Sequence, residues 1–194
     1  MIGRQGNEKF ILFLIILGVV AMVTVSTSAE QNKQTGISVI GLKFPTLTTD
    51  SLAGTKVTLP DSAKGKFTLV IMSFKRDSQS QNDSWLGPFE KEFGQQEGYL
   101  FYEVPMIRRR FVFMAPLIDS GMRAAIPNEK HKNVITFYGN VDPYKQALKI
   151  EDIYLGYAYL LDREGIIRWQ GQGLAKAEDI KALIETAQGL TNKK

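Results

Sequence analysis

The chain contains no cysteine and a single histidine, His131. The first absence excludes disulfides, thiol catalysis, iron–sulfur clusters and thiolate zinc sites. The second excludes a histidine-rich metal centre. A strong charge of either sign is also lacking: charged residues make up 23% and the formal net charge is +4, or +3 once Arg4, Glu8 and Lys9 are set aside. That excess is no nucleic-acid footprint, which needs a concentrated basic face. Internal repeats and low-complexity tracts are absent. With no base–nucleophile pair and no metal cluster in view, the sequence offers no catalytic, cofactor-binding or metal-ligating residue.

One long uncharged run is present. Residues 10–29, FILFLIILGVVAMVTVSTSA, carry no charge over 20 positions, close to what a helix needs to cross a hydrocarbon core. The strongly apolar part, Phe10 to Val25, is 16 residues long, and Ser26-Thr27-Ser28-Ala29 suits a signal-peptidase site. Two readings stay open, a membrane anchor or a signal peptide cleaved near Ala29. Arg4 and Lys9 precede the run and Glu30 follows it, which favours a cytoplasmic N-terminus. The folded domain then sits on the extracytoplasmic side, anchored or secreted. The expected layout is anchor or signal over 1–29, polar linker over 30–40, one domain over 41–190 and a tail at 191–194.

Along the domain, residues 41–66 carry turn signals at Ala53-Gly54, Pro60-Asp61 and Gly65 and predict a small hairpin. FTLVIMSF (67–74) is a continuous apolar, β-branched run, the pattern of a strand buried on both faces. Trp85, Phe89 and Phe93 recur at helical spacing in 84–93, with Pro88 placed early. YLFYEVPMI (99–107) predicts a second strand that ends or lies at an edge because of Pro105. Residues 108–127 have a helical pattern with Pro116 inside it, and NVITFYG (133–139) predicts a third strand. A short helix follows at 142–150, with Asp142 as N-cap and Pro143 at the first helical position. Residues 156–173 form two strands joined by Asp162-Arg163-Glu164-Gly165, and an amphipathic helix over 176–190 closes the chain. Strand, helix and strand suggest a parallel pair, and the late hairpin adds antiparallel strands. The fold class is α/β: a thioredoxin-like mixed sheet flanked by helices, preceded by the membrane helix or signal sequence.

In a redox protein of that plan, the strand at 67–74 delivers a thiolate to the start of the next helix, and a cis-proline faces it from before a later strand. Here Gln79 and Asn82 stand at the spacing of the two cysteines, and Gly156 stands in place of the proline. Ser78, Ser80 and Ser84 have no base to activate them, and Asp77 and Asp83 read as turn and N-cap residues. Met72, Met106, Met114 and Met122, the soft side chains a copper carrier could use, read as core. The protein is therefore expected not to be an enzyme.

SWLGPFEKEF (84–93), IPNEKH (126–131) and GYAYLLDREGIIRWQGQGLA (156–175), preceded by FPTLTTDSLAGTKVTL (44–59), together resemble the mitochondrial ATPase complex subunit ten family and its prokaryotic relatives. The resemblance covers roughly residues 41–190. It implies a thioredoxin-like, non-enzymatic, membrane-tethered chaperone that helps the proton-channel subunit of the F-type ATP synthase into the complex. The mitochondrial proteins work on the matrix face, whereas this N-terminus argues for the opposite face. The alternatives are an extracytoplasmic thioredoxin-like ligand-binding protein and a cysteine-independent enzyme.

Two segments are candidate partner-binding surfaces. Arg108, Arg109 and Arg110 at a helix start would oppose the helix dipole, and the apolar run after them, Phe111 and Phe113 included, exceeds one core-facing stripe. That pattern suits an anionic membrane surface or a membrane-embedded protein subunit. It equally suits a deeply buried helix whose arginines reach solvent. Arg168 and Trp169 on the outer strand of the last hairpin form the second candidate if that edge is open, against an ordinary strand role with the indole packed and the guanidinium solvated.

Overall fold

A computed structural model of the chain describes residues 37–191. The apolar run, the cleavage point near Ala29 and the linker up to residue 36 lie outside the described residues. Among the described residues no helix is long and apolar enough to cross a membrane.

The predicted first hairpin is present as β1 (Leu47–Asp50) and β2 (Lys56–Leu59). The apolar run becomes β3 (Phe67–Ser73), buried at every position, as a central strand flanked by packed layers must be. With β4 (Tyr99–Arg108), β5 (Phe137–Gly139), β6 (Tyr157–Leu161) and β7 (Ile167–Gln172) it forms a five-stranded sheet of order β5-β4-β3-β6-β7. β3 runs parallel to β4, and β4 parallel to β5, while β6 is antiparallel to both β3 and β7. The mixed sheet is thus the one expected.

One face of the sheet is covered by α1 (Gln79–Phe93) and α4 (Ala177–Thr191), and that core centres on Leu69, Ile71, Trp85, Phe89, Leu160 and Leu183. The other face is covered by the β1–β2 hairpin, by residues around Val39 and Phe44, and by the surroundings of the short α3 (Asp142–Ala147). Val39, assigned to the linker from sequence, is only 1% exposed and belongs to this core.

Several expectations are corrected. α1 starts at Gln79 instead of Ser84, so Pro88 is inside the helix and not near its start. The helix continues through it because Trp85, Phe89 and Phe93 are all buried on the sheet. β4 runs on to Arg108 and is not an edge strand. Pro105 sits where pairing changes over, opposite the last residue of β3 and just before β5 begins to pair at Met106. The third predicted strand shrinks to Phe137–Gly139, with Val134 and Ile135 making only isolated bridges to Glu103 and Ser51. Val141 caps α3, and Asp142 is its first residue, its N–H donating to Asn140 Oδ1.

The segment 108–127 departs furthest. Arg108 closes β4, residues Arg109–Met114 form a 3-10 turn, and α2 (Ala115–Ala125) begins only afterwards. Pro116 therefore occupies a first-turn position, where its missing N–H costs nothing. Arg108 is the N-cap of that 3-10 segment and Arg109 and Arg110 are its first residues, so the three arginines do stand at a helical start, that of the 3-10 turn and not of α2. No residue of the turn or of α2 is buried, which removes the buried-helix reading. Met114 and Met122 are accordingly half-exposed, while Met72 and Met106 are core.

Trp85 anchors α1. Its ring is fully buried, meets Trp169 edge-on at 5.3 Å, and donates Nε1–H to the Gly173 carbonyl at 2.8 Å. Gly171 makes this possible, because a Cβ there would run into both indoles. Trp85→Phe should keep the ring packing and strand the Gly173 carbonyl, costing about 1–3 kcal/mol. Urea unfolding followed by circular dichroism measures this, and an unchanged midpoint would show that the hydrogen bond contributes nothing.

Candidate functional site

The parallel strands β3 and β4 end on the side of the sheet where α1 begins, the usual location of a site in an open α/β sheet. Ser78 is the N-cap of α1, but its hydroxyl bonds the Tyr154 carbonyl at 3.1 Å and not the helix. Gln79 and Asn82, one turn apart on α1, both reach the same acceptor. Gln79 Nε2 donates to Glu103 Oε1 at 3.0 Å, and Asn82 Nδ2 donates to the same oxygen at 3.3 Å and to Ser73 Oγ at 3.0 Å. The place of a dithiol is filled by two amides resting on a buried carboxyl group.

Glu103 is the residue that sequence reasoning missed. It lies in β4 on the α1 side and is only 8% exposed. The signal was available, since it is the one charged residue within YLFYEVPMI. Burial pushes its carboxyl above the usual carboxylate range. The amides of Gln79 and Asn82 oppose that rise, and the charge of Asp83 adds to it. Asp83 is not an N-cap but the fifth residue of α1, and it accepts from Gln79 Nε2.

Gly156 faces this cluster from before β6, where the proline would stand. Its N–H donates to Gln81 Oε1 at 2.8 Å, a bond that proline could not make. A Cβ at 156 would overlap Asn82 Oδ1, which is buried and has no hydrogen-bond partner among the described residues. Asn82 and Gly156 are therefore coupled, because the amide at one position requires the absence of a side chain at the other. With no cysteine in the chain, the arrangement has no thiol with which to exchange disulfides.

Beside this cluster runs an exposed apolar ridge. Phe111, Val112, Phe113 and Leu117 are 37, 51, 76 and 70% exposed. α2 is tied down by polar contacts, with Tyr138 donating to Asp119 at 2.8 Å and Arg123 donating to the Leu52 carbonyl at 2.8 Å. Burial, with the Asp119 carboxylate beside it, holds the Tyr138 hydroxyl well above its ordinary value. Where the ridge meets the strand ends lies a cavity of about 280 Å³ lined by Phe74, Lys75, Met106, Arg108, Arg110 and Phe111, among others.

A family model described as ATP10 protein matches residues 40–190. The chain belongs to the ATP10 protein family. No curated protein matches it by sequence. Among solved structures it is similar to a putative thiol:disulfide interchange protein DsbE from Chlorobium tepidum, with TM-score 0.56 and 16% identity over 78% of this chain and 96% of that one. It is also similar to a putative protein disulfide isomerase from Bacteroides thetaiotaomicron, with TM-score 0.58 and 16% identity over 80% of this chain and 91% of that one. BsSco, a member of the Sco family of cytochrome c oxidase assembly proteins, gives TM-score 0.58 and 14% identity over 83% of this chain and all of the other. These likenesses establish the thioredoxin-like fold. The ATP10-family chain shares it without a cysteine at any position.

The structure does not bring the two sequence candidates together. Arg108 closes β4 and Arg109, Arg110, Phe111 and Phe113 follow it, whereas Arg168 and Trp169 are on β7, an edge strand on the other side of β3. Arg168 Nε bonds Asp162 Oδ2 at 2.6 Å, and Trp169 is half-buried against Trp85. Burial alone would raise the Asp162 carboxyl, but the N–H groups of Ile166 and Glu164, together with Arg168, outweigh it and hold it below its usual value. The β7 edge is covered at its start: Gly41 N–H donates to the Ile167 carbonyl and Ile167 N–H to the Leu42 carbonyl, while Phe44 N–H donates to Gly165 in the turn before the strand. His131 is buried and its Nε2 bonds the Ile126 carbonyl at 2.9 Å, a structural role.

Two outcomes follow from this geometry. Gly156→Ala should cost about 1–3 kcal/mol by overpacking. Its cost in an Asn82→Ala background should be smaller by more than about 0.5 kcal/mol. Additive costs in that double-mutant cycle would show that the two positions are not sterically coupled. For Glu103, a folded-state value above the unfolded one means that the folded protein binds the proton more tightly. The stability this contributes is complete below the ordinary carboxylate range and is lost as pH rises through the folded value. Glu103→Gln should therefore be more stable than the parent near neutral pH, with the gap closing as pH falls towards about 4. Urea unfolding across pH checks this, and a gap that widens on acidification would reverse the sign.

Proposed function

We propose that this ATP10-family chain is a redox-inactive, non-enzymatic assembly factor, tethered to a membrane by its N-terminal run, that binds a membrane-embedded subunit of a larger complex. The observation that carries the reading is the replacement of the dithiol by the Gln79–Asn82–Glu103 cluster beside an exposed apolar ridge at 111–117. A scaffold that keeps its fold, has no reactive group at the usual place and exposes four large apolar side chains next to it is suited to binding. The family supports the F-type ATP synthase as the complex, with its proton-channel subunit as the partner. The membership of BsSco in a family of cytochrome c oxidase assembly proteins supports the same class of work on the same fold. The N-terminal sequence favours the extracytoplasmic side, which the partner must then reach.

Affinity capture of the tagged full-length protein from native membranes in mild detergent, with mass spectrometry, tests the reading. A membrane subunit of the synthase should be enriched over a tagged thioredoxin-like control. Replacing both Phe113 and Leu117 by Asp, positions with almost no packing to lose, should reduce its recovery roughly tenfold or more. Capture of a different membrane complex would keep the class and remove the synthase, and recovery unchanged by the double substitution would remove the ridge.

A further inference from the structure

The cavity at the end of β3 and β4 has an unusual charge balance. Lys75, Arg108 and Arg110 line it, no carboxylate does, and its remaining walls are Phe74, Met106, Ile107, Phe111, Val141 and Ile153. None of the three cations takes part in an ion pair among the described residues. Lys75 Nζ lies 5.1 Å from the Tyr154 ring and the Arg110 guanidinium 4.8 Å from the Phe111 ring, so aromatic faces hold both without neutralising them. Arg109, also exposed, adds a fourth cation at the same corner. Three like charges gathered around an apolar hollow repel one another, and an anion with an apolar body relieves that repulsion while filling the hollow.

We infer that this corner docks on the bilayer itself, with the phosphate of an anionic phospholipid held by Lys75, Arg108 and Arg110 and the side chains from Phe111 to Phe113 lying at the acyl boundary. Arginines adjoining exposed aromatic and aliphatic side chains form the chemical pattern of an interfacial segment. Chain length makes the encounter obligatory. Eleven residues separate Val25, the end of the apolar run, from Ile37, where the described domain starts, and they span at most about 40 Å. A domain on so short a leash samples the headgroup layer at millimolar effective concentration. The inference rests on the tether of the proposed function but not on the identity of the protein partner. It would place the apolar ridge at the depth where a membrane-embedded subunit emerges.

The full-length protein in lipid nanodiscs tests it, with no other protein present. The chain has no cysteine, so Val112→Cys gives a single site for an environment-sensitive fluorophore, and Glu178→Cys on α4 gives a control. With phosphatidylglycerol in the disc, the probe at 112 should shift to the blue and be quenched by lipids brominated on their acyl chains. With phosphatidylcholine alone it should read water, as the probe at 178 should in both. Each of Arg108→Gln and Arg110→Gln should lower the docked-to-undocked ratio about fivefold, and raised salt should do the same. Thermal melts of the variants separate this from misfolding. A probe at 112 that reads water in anionic discs overturns the inference. So does a shift produced equally by inorganic phosphate in phosphatidylcholine discs, which would mark a simple anion site, or by an acidic peptide from a captured subunit, which would mark a protein site. Capture of the synthase subunit by the arginine variants at parent level, with the lipid signal lost, would leave the assembly reading standing. Loss of capture with the lipid signal intact would do the reverse.

Discussion

The first turn of α1 is held to the sheet by one buried amide. Asn82 sits beneath that turn, donates to Ser73 at the end of β3 and to Glu103 on β4, and fills the space left open at Gly156 before β6. Three strands are thus referenced to a single side chain. Its placement sets the position of α1, and with it the seating of Trp85, Phe89 and Phe93 that closes one of the two cores. Ser78, at the end of the loop before α1, reaches across to Tyr154, and Gln81, in the turn itself, reaches Tyr154 and Gly156. A thiol pair at these positions would be free to open and close. The Asn82 amide is held instead by its Nδ2 bonds to Ser73 and Glu103, with its oxygen packed against Gly156.

That exchange of chemistry for rigidity explains how one fold can serve exchange of disulfides in some relatives and none here. The helix N-terminus that elsewhere would lower a thiol pKa now faces side-chain amides, and the negative charge in the region belongs to a carboxyl group whose burial works against its ionisation. What remains available to other molecules is the rim. α2 and the turn before it contribute nothing to either core, so their apolar side chains are not explained by the stability of the domain.

Much of the fold was legible because period and composition are local properties. The unbroken apolar run of β3, the Trp85-Phe89-Phe93 spacing and the Asp162–Gly165 turn each report their own surroundings. The misreadings share a cause in contacts made at long range. β4 passes Pro105 because β5 takes over its pairing, which no window around Pro105 can reveal. Residues 108–127 have the composition of a core helix, and only the placement of the sheet edge shows that they are left outside. At the site, the loss of both cysteines and of the proline was visible in the sequence. Glu103 stood out as the one charge inside its strand, but such a charge says nothing about which helix turn it will meet 20-odd residues away.

The segment over 41–44 that runs beside β7 has a consequence for recognition. A sheet with a bare edge can enlist another chain as one more strand, and such partners are read through their backbone in a fixed register. Here residues 41–44 cover the start of the β7 edge, at Gly165 to Ile167, and the other edge strand, β5, offers only three residues. A partner that adds no strand to the sheet is held through side chains. Contacts of that kind specify shape and charge without imposing an extended conformation, so a helical partner can be held without first being unwound.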